Sequence, residues 1–427
     1  MAAGINLPGS WTDEPRRRVV ISGMGLITPC GNDLPTFWDA ISKGRSGCGE
    51  LTRFPQKDSP CHLAAEIPDW SPTDYLDAKS AKRFERSLQF GCAAAKLAAK
   101  DAGVSFKEID PDRCGVVEAT SLSNMEAASK AQTALHDRGS RSISPSMMIS
   151  GYVGSGSAEV AHQLGLRGHA ISCSSSSASG NDVMGYALGM IRSEDIDVMV
   201  AGGAEAPIVD TVYFGFAQSH AMSRWAGPPQ EAVKPFDRNG DGFVMGEGSA
   251  YVVIEELTHA LCRGARIYAE VLGHGRSCEA YHPMAPHPDG LGVARAMEKA
   301  LRSAGIDKTA VDYINAHGTA NPVNDVAETR AIKKVFGDRA RQLAVSSTKP
   351  ITGHSLAAVG ALETVICALA LHHRVIPMTL NHREPLPECD LDYVAGKIRP
   401  YPLRAALSLN SGFGGKTSCL VLGAYHP

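Results

Sequence analysis

A chain of 427 residues is long enough for two or three domain-sized units or one large fused body. Its 44% hydrophobic and 20% charged residues can fill a large core, which excludes general disorder. A net charge of −3 argues against a general nucleic-acid binder. There is no apolar run of about 18 residues, so no transmembrane helix is predicted. Met1 to Arg18 lacks the apolar core of a signal peptide, and Pro8, Gly9 and Arg16-Arg17-Arg18 read as a disordered lead-in. The 11 cysteines are odd in number, scattered and never spaced C-x-x-C. Neither a disulfide framework nor a structural zinc site follows, and reduced thiols in a cytoplasm fit best.

In chain order, Val19-Val20-Ile21 runs as a strand into Gly23-Met24-Gly25, and a helix is expected over Ser80 to Ala102. A strand end at Ile171-Ser172-Cys173 leads through small residues into a helix over Asp182 to Arg192. Val198 to Ala201 is a strand running into Gly202-Gly203, and Ala250 to Ile254 is another β-rich run. A helix over Leu291 to Ala304, a strand over Val311 to Ile314, a helix over Ala358 to His372 and a strand over Cys419 to Leu422 complete the pattern. Such alternation predicts α/β layers with helices covering sheets. A strand–helix–strand half is read twice, before and after about residue 260, with weak self-similarity between the halves.

Three segments carry candidate chemistry. The first pairs two histidines, His317 in Asn315-Ala316-His317-Gly318-Thr319 and His354 in Ser347-Thr348-Lys349-Pro350-Ile351-Thr352-Gly353-His354. Each is read as a strand-to-loop exit whose small neighbours let a ligand reach the imidazole. A lone histidine is more often structural; two such exits, one with a lysine five residues upstream, favour function. The second is Asn410-Ser411-Gly412-Phe413-Gly414-Gly415-Lys416, by itself a tight turn. The third is the serine-rich run Ser174 to Ser177, where a nucleophile would meet the positive end of a helix dipole.

Together these segments resemble the β-ketoacyl-acyl carrier protein synthase family over residues 18 to 424. Further matching stretches are Lys234-Pro235-Phe236-Asp237-Arg238, Gly242-Phe243-Val244-Met245-Gly246-Glu247-Gly248 and Glu388-Cys389-Asp390-Leu391-Asp392-Tyr393. The resemblance implies the α/β thiolase-like fold, with two pseudo-repeated βαβαβαββ halves over 18–260 and 261–424 in five αβαβα layers. It also implies an acyltransferase that condenses an acyl thioester with malonyl-acyl carrier protein.

The sequence departs from the family at the nucleophile. The family motif reads Cys, small residue, Ser or Thr, Gly, and Ser177-Ala178-Ser179-Gly180 fits it with serine first. Cys173 lacks the glycine and is assigned to the preceding strand. A serine hydroxyl is far less acidic than a thiol and needs a dedicated base. A Cys-to-Ser inactivated variant, made to trap a complex, is the favoured explanation because the other catalytic groups are intact. A naturally non-condensing decarboxylase or chain-length-type subunit is the alternative.

By resemblance, His317 and His354 stabilise the enolate, and Lys349, paired with Glu363, orients them. The N–H groups of residue 177 and Phe413 form an oxyanion hole, with Phe413 also gating the pocket. Asp325 and Glu328 hold the His317 loop, Leu122 and Phe216 line the acyl tunnel, and Lys79, Lys82 and Arg83 dock the acidic carrier protein. No metal or bound cofactor is implied; phosphopantetheine arrives on the acyl carrier protein. Ser411, where elongation enzymes often carry Phe, looks more like type II polyketide synthases. That would suggest a heterodimer with a chain-length-factor-like subunit rather than a homodimer. A calcium loop at Asp237 to Gly248 is rejected because its twelfth position is glycine. A serine hydrolase is rejected for want of a G-x-S-x-G elbow.

Overall fold

In the computed structural model, which describes residues 16–122 and 124–426, the first strand is β1, Val19–Ile27. Its nine residues are all buried, the signature of a strand covered on both faces. Four more strands of the same ten-stranded sheet come from the first half: β2 (Cys114–Ala119), β3 (Ala170–Cys173), β4 (Val198–Glu205) and β5 (Gly248–Glu256). The second half supplies β6 (Ala269–Cys278), β7 (Val311–Asn315), β8 (Ala344–Ser346), β9 (Ala405–Gly412) and β10 (Lys416–Gly423).

The spatial order is β8-β7-β9-β10-β6-β1-β5-β4-β2-β3. Each half repeats one plan, two parallel pairings followed by two antiparallel ones, so that four strands run one way and only β5 or β10 runs the other: β3-β2-β4-β5-β1 and β8-β7-β9-β10-β6. The halves join through a short pairing of Val20 with Glu270 and Ile21 with Ala269.

Four helices complete the layers. Helices α1 (Arg86–Ala102) and α3 (Leu291–Ala304) cover the outer faces of the first and second half-sheets. Helices α2 (Ser179–Arg192) and α4 (Val359–His373) pack on each other and on strands of both halves, which makes the thiolase-like five-layer stack. They approach closely because Gly180 faces Gly360; a Cβ on Gly180 would lie 2.4 Å from Ala361 N. Every residue of α4 except His372 and His373 is buried, so it is apolar all round. The stretch Leu356–His373 is long and apolar enough to cross a membrane, but it is 89% buried within the protein and serves as its central helix.

Three local expectations change. The helix expected over residues 80–102 is broken: Ala78–Arg83 ends at Phe84, whose backbone is extended, and α1 starts after Glu85. Buried Phe84 anchors the break, and Gln89 Nε2 donates to the carbonyls of Ala81 (3.0 Å) and Phe84 (2.8 Å). His354 does not leave a strand directly, because a helical turn over Lys349–Thr352 lies between β8 and Gly353. The lead-in as far as residue 15 lies outside the described residues; Arg17 and Arg18 are tied down by Asp197 (2.6 Å) and Glu270 (2.5 Å).

Candidate active site

The C-terminal ends of β2, β3 and β4 lie side by side, with Ala119 opposite both Cys173 and Gly203. Leaving β3, the serine run is held rather than loose. Ser175 N donates to Ser179 Oγ (2.7 Å), Ser179 Oγ donates to Ser176 O (2.5 Å), and Ser175 Oγ donates to Asp182 (2.6 Å). Ser176 adopts a φ of 58°, uncommon for a non-glycine residue, immediately before Ser177. Ser177 precedes α2, whose first turn has no side-chain cap, so the helix presents its partial positive charge there.

Ser177 Oγ lies 3.1 Å from His354 Nε2, although 177 residues separate them. The rings of His317 and His354 stand edge to face, 5.5 Å apart. All three residues are buried, at 6%, 7% and 3% exposure for Ser177, His317 and His354, and all line one pocket. Cys173 is half-buried at the end of β3 and does not line that pocket; burial, and then Asp182, raise its thiol above the ordinary range.

Burial pushes both imidazoles well below the usual histidine range, and the Lys349 ammonium pushes the same way; His354 adds to the effect on His317. Both rings are therefore neutral near pH 7. Lys349 Nζ pairs with Glu363 Oε1 at 2.7 Å, with side chains 0% and 1% exposed, and Asn410 Nδ2 donates to the other oxygen at 2.6 Å. Glu328 accepts from His317 N (2.6 Å) and Gly318 N (2.9 Å), so its carboxyl sets the turn that presents His317. Burial raises Glu328 to about 7 against the opposing backbone hydrogen bonds. Asp325 accepts from Phe236 N at 2.7 Å and pins this turn to the neighbouring loop.

Phe413 is 37% exposed and stacks on Phe216 at 5.8 Å and 16°. Gly412 before it approaches the serine loop so closely that a Cβ would sit 2.7 Å from Ser176 Cβ and 2.9 Å from Ser177 N. Only glycine brings the Gly412–Phe413 backbone against residue 177. The pocket opens to solvent, and Met284, Pro286, Asn321 and Asn324 are among the residues that line it. Phe216 is part of its lining; Leu122 is not, but packs in the same apolar cluster as Phe216.

Lys79 and Lys82 are exposed at the helix preceding α1. Arg83 is committed to Glu159 through two bonds of 2.9 and 3.0 Å, and Arg86 to Glu247. The Asp237 carboxylate is occupied by Asn239 N (2.9 Å), Arg383 N (2.7 Å) and Glu384 N (2.5 Å), which makes the Asp-rich segment a loop clamp. Two site residues escaped sequence reasoning as individuals. Phe243 stands edge-on to His354 at 4.8 Å, and Asn410 completes the Lys349–Glu363 group. Both lie in stretches already singled out, but their contacts are set by tertiary packing.

Comparison with known proteins gives a consistent result. The N-terminal domain of beta-ketoacyl synthase matches residues 16–260 and its C-terminal domain residues 268–383. The chain is 41% identical to 3-oxoacyl-[acyl-carrier-protein] synthase 2 of Synechocystis sp., covering 96% of this chain and 99% of that one. It is 42% identical to the Coxiella burnetii protein of the same name, covering 95% and 98%. Among solved structures, a type II polyketide ketosynthase in complex with its acyl-carrier protein and bound to the hexaketide is 31% identical, with a TM-score of 0.89, covering 96% of this chain and 100% of that one. The ishigamide ketosynthase/chain length factor is 33% identical, with a TM-score of 0.90 and the same coverage.

Proposed function

Because the chain belongs to the β-ketoacyl synthase family, we propose that it is a ketosynthase for decarboxylative Claisen condensation on acyl carrier protein, in type II polyketide or fatty acid biosynthesis. The observation that carries this reading is the 3.1 Å contact of Ser177 Oγ with His354 Nε2, with His317 5.5 Å from His354 between ring centres.

In this reading the group at position 177 attacks an acyl thioester and the carrier thiol leaves. A malonyl thioester then enters and loses CO₂. Its enolate oxygen is held by the neutral imidazoles of His317 and His354, donors fixed where negative charge develops. The enolate carbon attacks the acyl carbonyl, whose oxygen is stabilised by the N–H groups of residue 177 and Phe413; the bond to the group at 177 breaks, and that group leaves as its anion and takes up a proton from solvent. Lys349 with Glu363 orients the histidines electrostatically, Asp325 and Glu328 fix the His317 turn, and Phe413 moves against Phe216 to admit the acyl chain past Leu122. The half up to residue 260 supplies the nucleophile position and carrier surface; 261–424 supplies both histidines.

The partners follow from the same reading. An acyl carrier protein docks on Lys79, Lys82 and Arg83 and delivers phosphopantetheine through the mouth of the pocket, in the cytoplasm. A second copy, or a chain-length-factor-like subunit, completes a dimer; the two solved structures above are described with partners of these kinds. Serine in place of the family cysteine impairs acyl loading, because its oxygen stays protonated where a thiol would ionise.

The test is Ser177→Cys. The unaltered chain should decarboxylate malonyl-carrier protein but gain little acyl mass. The variant should gain the acyl mass and form the β-keto product, and Cys173→Ala in that background should leave both intact. Acyl mass that follows Cys173 overturns the assignment of position 177. A variant that loads but never condenses points to a non-condensing subunit.

A further inference from the structure

A carboxylate–imidazole contact joins the two halves just behind the serine run, and the reaction described above does not use it. Asp182 lies in the first turn of α2, and His274 lies on β6. His274 Nε2 is 3.2 Å from Asp182 Oδ1, an ion-pair distance rather than an aligned hydrogen bond, and 2.8 Å from Ser418 Oγ on β10. Gly185 makes room for the ring, since a Cβ there would lie 2.1 Å from His274 Nδ1. The other oxygen of Asp182 accepts from Ser175 Oγ at 2.6 Å.

Burial would raise the Asp182 carboxyl, but His274, Ser175 and Ser418 outweigh it and hold it below the ordinary range, so Asp182 is an anion near neutrality. Ser175 is thus tied to a charge, and such a hydrogen bond is stronger than one between neutral groups. The tie falls where the backbone needs it. Ser176, next in the chain, has a φ of 58°, a conformation that persists only where its surroundings impose it. Ser175 N and Ser176 O both bond to Ser179 Oγ, at 2.7 and 2.5 Å, which closes the loop on itself. The Ser175–Asp182 bond carries that restraint on to His274 and Ser418, on strands of the other half. Ser176 and Ser177 line the pocket, whereas Asp182 and His274 do not, so the pair reaches the site through the loop.

We propose that Asp182, held by His274, is a positioning residue: through Ser175 it sets the backbone that aims the group at position 177 into the pocket. This rests on the ketosynthase reading, in which that group attacks the acyl thioester. The two partial reactions should then separate. Decarboxylation uses His317 and His354, and the His317 turn is set by Glu328 instead.

The test uses the full chain carrying Ser177→Cys, with acyl loading followed by intact mass and malonyl-carrier decarboxylation by release of CO₂. Adding Asp182→Ala should slow loading about tenfold to a hundredfold, the effect of a misplaced reacting group. Decarboxylation should stay within about twofold of its rate before that change. Asp182→Asn, which keeps an oxygen acceptor for Ser175, should recover most of the loss, and His274→Phe should slow loading in the same direction as Asp182→Ala. Ser175→Ala should match Asp182→Ala, and the two together should be no slower than the slower single variant, because both remove one bond. Ser175→Ala carries the test should Asp182→Ala fail to fold. Normal loading in these variants, or loading and decarboxylation falling together, overturns the inference and leaves the ketosynthase reading standing. A Ser177→Cys protein that never gains acyl mass overturns both.

Discussion

Breaking the Lys349–Glu363 pair is the sharpest physical test of the site. Both side chains are essentially inaccessible, so either partner left alone is a charge in the interior. The penalty has a ceiling, because the survivor can change its proton content instead. In Glu363→Gln the lysine is stranded. An ordinary lysine titrates near ~10.4, so neutralising it at pH 7 costs at most about 4 to 5 kcal/mol. In Lys349→Met the carboxyl is stranded; an ordinary glutamate titrates near ~4.3, and protonating it at pH 7 costs at most about 3.7 kcal/mol. Burial already raises Glu363, and Asn410 still holds one oxygen, so Lys349→Met should be the milder change.

The two variants should respond oppositely to pH. A folded state that keeps lysine neutral binds fewer protons than the unfolded chain, so the Glu363→Gln deficit shrinks by up to about 1.4 kcal/mol per unit as pH rises. A folded state that keeps the carboxyl protonated binds more, so the Lys349→Met deficit shrinks as pH falls. Urea unfolding of both variants and of Lys349→Met/Glu363→Leu at pH ~6, ~7 and ~8 reads these differences. Deficits below about 1 kcal/mol with no pH trend, or a double variant no better than the worse single one, would refute the reasoning.

Other outcomes follow from the same geometry. His317→Ala and His354→Ala should each slow malonyl-carrier decarboxylation by roughly 10²-fold or more, as for loss of an oxyanion donor; release of CO₂ at the normal rate in either variant removes that histidine from the mechanism. Charge reversal at Lys79 and Lys82 should weaken carrier binding and flatten its salt dependence without lowering stability, whereas Arg83→Glu should also destabilise the fold by stranding Glu159; unchanged affinity at low salt excludes this surface. Gly412→Ala should force Ser176 and Ser177 apart from Phe413 and reduce acyl loading of the Ser177→Cys protein, measured by intact mass. Full loading would show that this close approach is dispensable.

Much of the frame was legible in the chain. Strands with long apolar runs and the periodic helix Leu291–Ala304 declare themselves locally. The break at Phe84 does not, because residues 80–102 carry a helical pattern throughout and the interruption is stabilised by the tertiary burial of Phe84. Likewise, His317 and His354 stand out by their small neighbours, but their meeting with Ser177 depends on strands far apart in sequence. The commitment of Arg83 to Glu159 was hidden for the same reason: a charged helix face says nothing of a carboxylate 76 residues away.

The position of β1 bears on how the chain is made. It is the second half-sheet's neighbour and the first half-sheet's inner edge, yet its main partner is β5, with Val19 opposite Glu256 and Ile27 opposite Ser249. On the ribosome β1 therefore waits for a partner more than two hundred residues behind it. At about 5–20 residues per second that delay is roughly 10 to 50 s. Throughout it, a nine-residue apolar segment with free hydrogen-bonding edges is exposed, and closing so long a loop is slow in itself. During synthesis β5 thus competes with any other strand that β1 can pair with.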